Sequence, residues 1–227
     1  METWVITGAS RGIGLELTRQ ALAAGHAVIA CSRDSGAAGE LAALESPELE
    51  LFDMDVRDTS DVEGLAEHLA SRAVDVLVNN AGVHGGAEQS VDSMYYDGWR
   101  DAFEVNTIAP FRITVALRDA LLRSSRPRVM FISSQMASLS RRSTGSFAYR
   151  STKAAANKVA QVLALEFEQD GIVVCPVHPG WVRTEMGGPI ADISAEESAS
   201  GLLELAGRLS PEMSGRFWTW QGEEHPW

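Results

Sequence analysis

Tyr149 and Lys153 stand four residues apart in the run Tyr149-Arg150-Ser151-Thr152-Lys153, so on a helix they share one face and act on one place. A free phenol titrates near pKa ~10, too high to move protons readily at neutral pH. A nearby ammonium favours the phenolate, so Lys153 is expected to lower the pKa of Tyr149 and make it an acid/base. Taken alone the spacing carries little weight, because tyrosine and lysine fall at it by chance in many helices.

A second candidate lies at the other end of the chain, in Thr7-Gly8-Ala9-Ser10-Arg11-Gly12-Ile13-Gly14. Gly8 permits a tight turn, Gly12 lets backbone amides approach a pyrophosphate, and Gly14 allows a helix to pack closely on a strand. The spacing GxxxGxG varies the common dinucleotide pattern. Its place strengthens it, with an apolar strand before and an amphipathic helix after, whose N-terminus faces the phosphates.

The end of the next strand discriminates between nicotinamide cofactors. A carboxylate there bonds the ribose hydroxyls of NAD, whereas a basic group accommodates the 2′-phosphate of NADP. The run is Ala30-Cys31-Ser32-Arg33-Asp34. Ser32 at the diagnostic position neither repels a phosphate nor clamps a diol, and Arg33 supplies a guanidinium fork, with Arg11 reaching from the glycine turn. NADP(H) is the expected cofactor and NAD(H) the second choice, since Asp34 becomes the diagnostic acid if the strand ends two residues later.

These residues need a scaffold that brings them together. Short apolar runs at Trp4 to Thr7, Ala27 to Cys31, Leu49 to Met54, Val74 to Val78, Arg128 to Ser133 and Ile172 to Val177 read as strands. Helix-like stretches alternate with them: Ile13 to Ala24, a weaker one at Gly39 to Leu44, then Asp58 to Ser71, Trp99 to Leu122 and Tyr149 to Gln169. The alternation predicts an α/β Rossmann fold, a doubly wound, mostly parallel sheet with helices on both faces, in one domain over 1–227. Right-handed crossovers then place every loop that follows a strand along one edge, where ligands of open α/β sheets bind. Arg216 to Trp220 is aromatic and reads as a late strand. The irregular stretches His84 to Asp92 and Gly187 to Ile193 are candidate substrate-side loops, the second a short lid.

The composition limits the alternatives. A chain of 227 residues buries roughly 70% of its unfolded surface as one domain. Forty-five percent apolar residues and a mean hydropathy of −0.06 are ordinary for a globular protein. The net charge of −12 repels a phosphate backbone, so nucleic acid is not an expected partner, nor is a membrane. The N-terminus runs from Met1-Glu2-Thr3 into Trp4 without a basic region or a long apolar stretch, and a cytoplasmic location is the default expectation. Cys31 and Cys175 read as buried free thiols, and His26, His84 and His178, which share no ligand spacing, as core or surface histidines without a metal.

Further signals complete the set: Asn79-Asn80-Ala81-Gly82 after the fourth strand, Asn106 on the following helix, Ser133-Ser134 after the fifth, and Pro179-Gly180 after the sixth. In this order they resemble the short-chain dehydrogenases/reductases over nearly the whole chain, and within that family the sniffer and C-factor branch of carbonyl reductases. The resemblance implies that hydride passes between the nicotinamide and a carbonyl carbon while Tyr149 exchanges a proton with the oxygen. Ser134 would hold that oxygen where charge develops; two extra residues before Tyr149 leave Ser133 and Ser138 as alternatives. Lys153 would also bond the nicotinamide ribose, and Asn106 would hold a water linking Lys153 to solvent. Asp55-Val56 would flank the adenine, Asn80-Ala81-Gly82 would pass close to the cofactor, and Val182 and Thr184 would lie near the carboxamide. Trp181 either lines the substrate pocket or packs.

The expected substrate is a small aldehyde, ketone or quinone, or the corresponding alcohol. The competing reading is a dinucleotide-binding redox sensor or signalling protein without turnover, to which Tyr149 beside Lys153 would be of no use. An acyl-carrier-protein reductase would favour a basic docking face, which a chain of charge −12 does not suggest. The Ala-rich helices from Trp99 and Tyr149 resemble the family's dimerising pair, implying a homodimer or homotetramer.

Overall fold

The computed structural model describes residues 1–36 and 39–227. Seven parallel strands form one sheet in the order β3-β2-β1-β4-β5-β6-β7. They are β1 (Thr3–Thr7), β2 (Ala27–Ser32), β3 (Leu49–Asp53), β4 (Val76–Asn79), β5 (Arg128–Ile132), β6 (Val173–His178) and β7 (Trp218–Thr219). The central strands are apolar without a polar face because both faces are covered. Alternate residues serve opposite cores. Trp4, Ile6, Val28, Ala30, Val76 and Val78 pack with α1 (Gly12–Ala23) and α7 (Ala195–Arg208). Val5, Ile29, Leu77, Val129 and Phe131 face α2 (Thr59–His68) and α6 (Phe147–Glu166). The chain runs outward from β1 to β3 and resumes at β4 on the other side of β1, so the crevice opens beyond the C-terminal ends of β1 and β4.

The expected continuous helix from Trp99 to Leu122 is broken. It consists of α3 (Tyr96–Phe103), a π-helical turn over Glu104–Ile108, α4 (Ala109–Ala116) and α5 (Arg118–Leu122). Proline has no N–H, so Pro110 cannot donate to the carbonyl of Asn106 four residues before it, and the ladder shifts register at that point. In the single chain α4 and the turn before it present Ile108, Phe111 and Val115 to solvent, and α6 presents Val162 and Leu165. The weaker helix at Gly39 to Leu44 is a pair of turns.

Helix α7 was legible but not expected. Ser194 accepts from the Glu197 amide while the Glu197 carboxylate accepts from the Ser194 amide, a capping box, and Ala199, Leu202, Leu205 and Ala206 follow at helical spacing on the buried side. The late strand is present as β7, paired with β6 through Val177 and Trp218.

Candidate active site

A cleft of about 300 Å³ follows the carboxyl edge of the sheet, from the glycine turn and the end of β2 to Tyr149 and Lys153. The glycine turn is built by steric necessity. Gly8 and Gly12 adopt φ of 65° and 55°, which side chains rarely tolerate. A Cβ on Gly14 would lie 2.4 Å from the Gly8 carbonyl oxygen, so this glycine sets the approach of α1 to β1 and does not itself line the cleft. Gly8, Ser10, Arg11, Gly12 and Ile13 do line it.

The Asn79–Gly82 turn is latched to the glycine turn. The Thr7 hydroxyl accepts from the amides of Asn80 at 3.0 Å and Ala81 at 3.1 Å. The Asn80 side chain donates to the carbonyls of Thr7 at 2.9 Å and Gly8 at 3.1 Å. Asn79 points the other way and donates to Thr114 on α4 at 3.0 Å. Asn80, Ala81 and Gly82 thereby become part of the cleft wall.

At the opposite end stand Ser32 and Arg33. The Ser32 hydroxyl is buried and has no hydrogen-bond partner among the described residues, a costly state unless a ligand supplies one. Asp55 and Val56 form the neighbouring wall. Asp55 is gripped by Arg57, whose Nη2 donates to it at 2.6 Å, and that guanidinium holds the carboxyl below its usual pKa. Arg57 also reaches Asp101 on α3 at 3.1 Å, so it fastens this end of the cleft to the helix below it. Sequence reasoning missed Arg57, along with Met54, Glu185 and Met186, which line the same cleft. Arg11 is ion-paired with Glu185 across the cleft mouth, both side chains mostly exposed.

The proton-transfer residues occupy the far end. Ser133 and Ser134 follow β5, but they are differently engaged. Ser133 donates to Asn157 at 2.5 Å, whereas Ser134 faces the phenol of Tyr149 and accepts from the Met136 amide at 3.1 Å. Ser138 pairs with Ser140 at 2.7 Å. Lys153 is 5% exposed and its Nζ donates to the Ile132 carbonyl at 2.7 Å.

In the chain without a bound ligand, the pKa of Tyr149 lies above its ordinary value. Burial raises the pKa of Tyr149, the hydrogen bond from Ser134 opposes it, and Lys153 contributes no lowering. Lys153 lies 6.0 Å from the centre of the phenol ring, and burial pushes its own pKa down to about 8. Between about pH 8 and 10.5 the unfolded chain holds a proton that folded Lys153 has released, so stability rises with pH across that window. Above about pH 10 Tyr149 works in the opposite sense, because the unfolded phenol ionises first. Cys31 and Cys175, whose thiols burial keeps protonated, work against this rise above about pH 9, so the Lys153 contribution is read as a difference: from pH 7 to 10 urea unfolding should show the wild type gaining stability relative to Lys153→Met, and equal slopes would contradict the assignment.

Asn106 lies in the π-helical turn, buried, and its side chain is fully committed. Its Nδ2 donates to the Val83 carbonyl at 2.8 Å and to Thr152 at 3.0 Å, while its Oδ1 accepts from the Val83 amide at 2.9 Å. A Cβ on Gly82 would come within 3.2 Å of Asn106 Oδ1 and 3.4 Å of Lys153 Nζ, so these three residues converge.

After β6, Pro179 and Thr184 line the cleft, whereas Gly180 and Val182 stand behind it. A Cβ on Gly180 would clash with Ile193 at 2.4 Å, and Val182 is buried and bridged to Ile193. Trp181 is 41% exposed and donates to the Gly187 carbonyl at 2.9 Å, tying the short loop to its own base. Cys31 and Cys175 are buried free thiols, as expected. His178, neutral with its pKa pushed down to about 4 by burial, accepts from the Gly180 amide at 3.3 Å. His84 is exposed, yet it is more than a surface residue: its ring stacks on that of Tyr149. No cluster of potential metal ligands occurs among the described residues.

Residues 2–194 match the family model for short chain dehydrogenase. The C-signal protein of Myxococcus xanthus is 39% identical over 167 residues, which cover 73% of this chain and 100% of that protein. An NADPH-bound carbonyl reductase from chicken fatty liver superposes with a TM-score of 0.92 at 30% identity, over 100% of this chain and 99% of its own. The carbonyl reductase Sniffer of D. melanogaster has the same fold, with a TM-score of 0.94 at 24% identity over the whole of both chains.

Proposed function

We propose that this chain, which belongs to the short-chain dehydrogenase/reductase family and to its carbonyl-reductase-like branch, is an NADP(H)-dependent oxidoreductase that interconverts a small aldehyde, ketone or quinone and its alcohol. The observation that carries the reading is one continuous cleft joining a dinucleotide cradle to Tyr149 and Lys153. Bound NADPH supplies hydride to the carbonyl carbon. Tyr149 gives its proton to the carbonyl oxygen, which Ser134 holds by a hydrogen bond as charge develops. Lys153, already a donor to Ile132, has further N–H groups for the nicotinamide ribose. Asn106 holds a water through its backbone carbonyl, for which Pro110 supplies no helical donor, and that water returns a proton toward Lys153.

The cofactor assignment rests on two features of the cleft. Ser32 brings a buried hydroxyl without a partner among the described residues, and Arg33 brings a cation suited to the 2′-phosphate. A panel of aldehydes, ketones and quinones should be reduced faster with NADPH than with NADH, and Arg33→Ala should cut the NADPH preference by about tenfold, the worth of one charge-assisted phosphate contact. Preference for NADH in the wild type would reject the assignment.

The signalling reading draws support from the 39% identity to a protein named C-signal. It predicts NADPH binding without turnover of any member of that panel.

A further inference from the structure

Helix α6, which carries Tyr149 and Lys153, begins without a cap of its own. The residue before it, Ser146, is in the left-handed region with φ of 52° and makes no side-chain bond to the first turn. First-turn N–H groups have no acceptor inside a helix, and here the acceptor comes from a loop about 60 residues earlier. Gln89 Oε1 accepts from the amide of Ala148 at 2.8 Å and from that of Tyr149 itself at 3.2 Å. Its Nε2 donates to the carbonyls of His84 and Gly86, both at 2.8 Å. Donors at one end and acceptors at the other leave one orientation of the amide that satisfies all four bonds.

Gln89 is 7% exposed, so a broken bond here is not readily replaced by water. The loop it braces touches Tyr149 a second time. The His84 ring stacks on the phenol ring with centroids 5.5 Å apart and planes inclined by 22°. His84 Nδ1 lies 3.0 Å from the Gln89 amide nitrogen. Gly85 fits so closely that a Cβ there would come within 2.7 Å of Ala148 Cβ. The backbone and the ring of Tyr149 are thus both held by the segment 84–89.

We infer that Gln89 is a positioning residue for Tyr149: by clamping the loop 84–89 to the first turn of α6, it makes the substrate-side loop and the acid/base residue a single rigid unit. The inference rests on the reading of Tyr149 as the acid/base. Misplacement of a reacting group by about 1 Å costs up to about 10²-fold in rate, so losing the clamp is expected to lower carbonyl reduction about tenfold to hundredfold.

The test compares Gln89→Leu and Gln89→Glu with the wild type by reduction kinetics across pH, NADPH affinity and amide hydrogen exchange. Gln89→Leu should bind NADPH with wild-type affinity, lose activity, and exchange the Ala148 and Tyr149 amides at least about tenfold faster. Gln89→Glu keeps an acceptor for those amides and should retain their protection, but its second oxygen cannot donate to the His84 and Gly86 carbonyls, so the loop 84–89 is released from the helix. Its negative charge disfavours the phenolate and should move the alkaline limb of kcat/KM to higher pH. His84 and Lys153, the other ionisable groups against the phenol, are common to all three proteins. Wild-type kcat/KM and amide exchange in a folded Gln89→Leu overturn the inference. If Gln89→Leu does not fold, Gln89→Glu decides, and an unmoved limb overturns the inference. Tyr149→Phe separates the two levels: full activity in that variant removes the acid/base reading, whereas its inactivity beside unaffected Gln89 variants removes the clamp alone.

Discussion

Tyr149→Phe is expected to lower kcat and kcat/KM for carbonyl reduction together by about 10²–10⁴-fold, the contribution of a placed general acid, while NADPH still binds. The change is unusually clean because little else depends on the phenol oxygen. The phenylalanine ring preserves the stack on His84, which involves the ring faces. The two amides at the start of α6 keep their acceptor, Gln89. Ser134 keeps its bond from the Met136 amide and loses only the one it makes to the phenol. The Lys153 ammonium remains anchored on the Ile132 carbonyl. What disappears is the proton donor. Activity within a few fold of wild type, alongside unchanged NADPH affinity measured by fluorescence, would show that the proton comes from elsewhere.

The glycine turn, the Asn79–Gly82 turn and the Tyr149–Lys153 pair were legible because each is a short run of residue types at the end of a strand, and the alternation of strands and helices fixes which edge they share. Gly14 is a packing position, as its place at the start of the helix predicts. Legibility failed where one long-range contact decides the outcome. Gln89 lies in a stretch with no periodicity, and its partners on α6 are remote in sequence. Arg57 reads as a surface arginine until Asp101 is brought beside it. The upward push that burial gives the Tyr149 pKa was not legible for a related reason, since burial depends on the whole pocket and spacing along a helix reports only on Lys153. The break at Pro110 and the capping box at Ser194 are different: both are local signals that the sequence carries in full.

Gly14→Ala sets two opposed effects against each other, and their magnitudes decide the sign. Glycine inside a helix costs about 1 kcal/mol relative to alanine, so propensity favours the substitution. Against it, the new Cβ would lie 2.4 Å from the Gly8 carbonyl oxygen and 2.5 Å from Asn80 Nδ2. The carbonyl belongs to the backbone and cannot swing aside, and the Asn80 amide is held by its bonds to the Thr7 and Gly8 carbonyls. Relief requires α1 to lift from β1, because the carbonyl cannot yield, and Asn80 to rotate and lose one or both of its bonds, with overpacking at about 1–3 kcal/mol and each lost bond at about 1 kcal/mol. The net expectation is destabilisation of about 1–4 kcal/mol. The same displacement opens the turn that cradles the pyrophosphate, so NADPH affinity should fall at least about tenfold. Gly64, on α2, isolates the propensity effect, because a Cβ there would meet no heavy atom within 4 Å. Gly64→Ala should raise stability by up to about 1 kcal/mol and leave NADPH binding alone. Denaturant titrations of the two variants with opposite signs would attribute the Gly14 effect to contact, and two shifts of the same sign would refute that account.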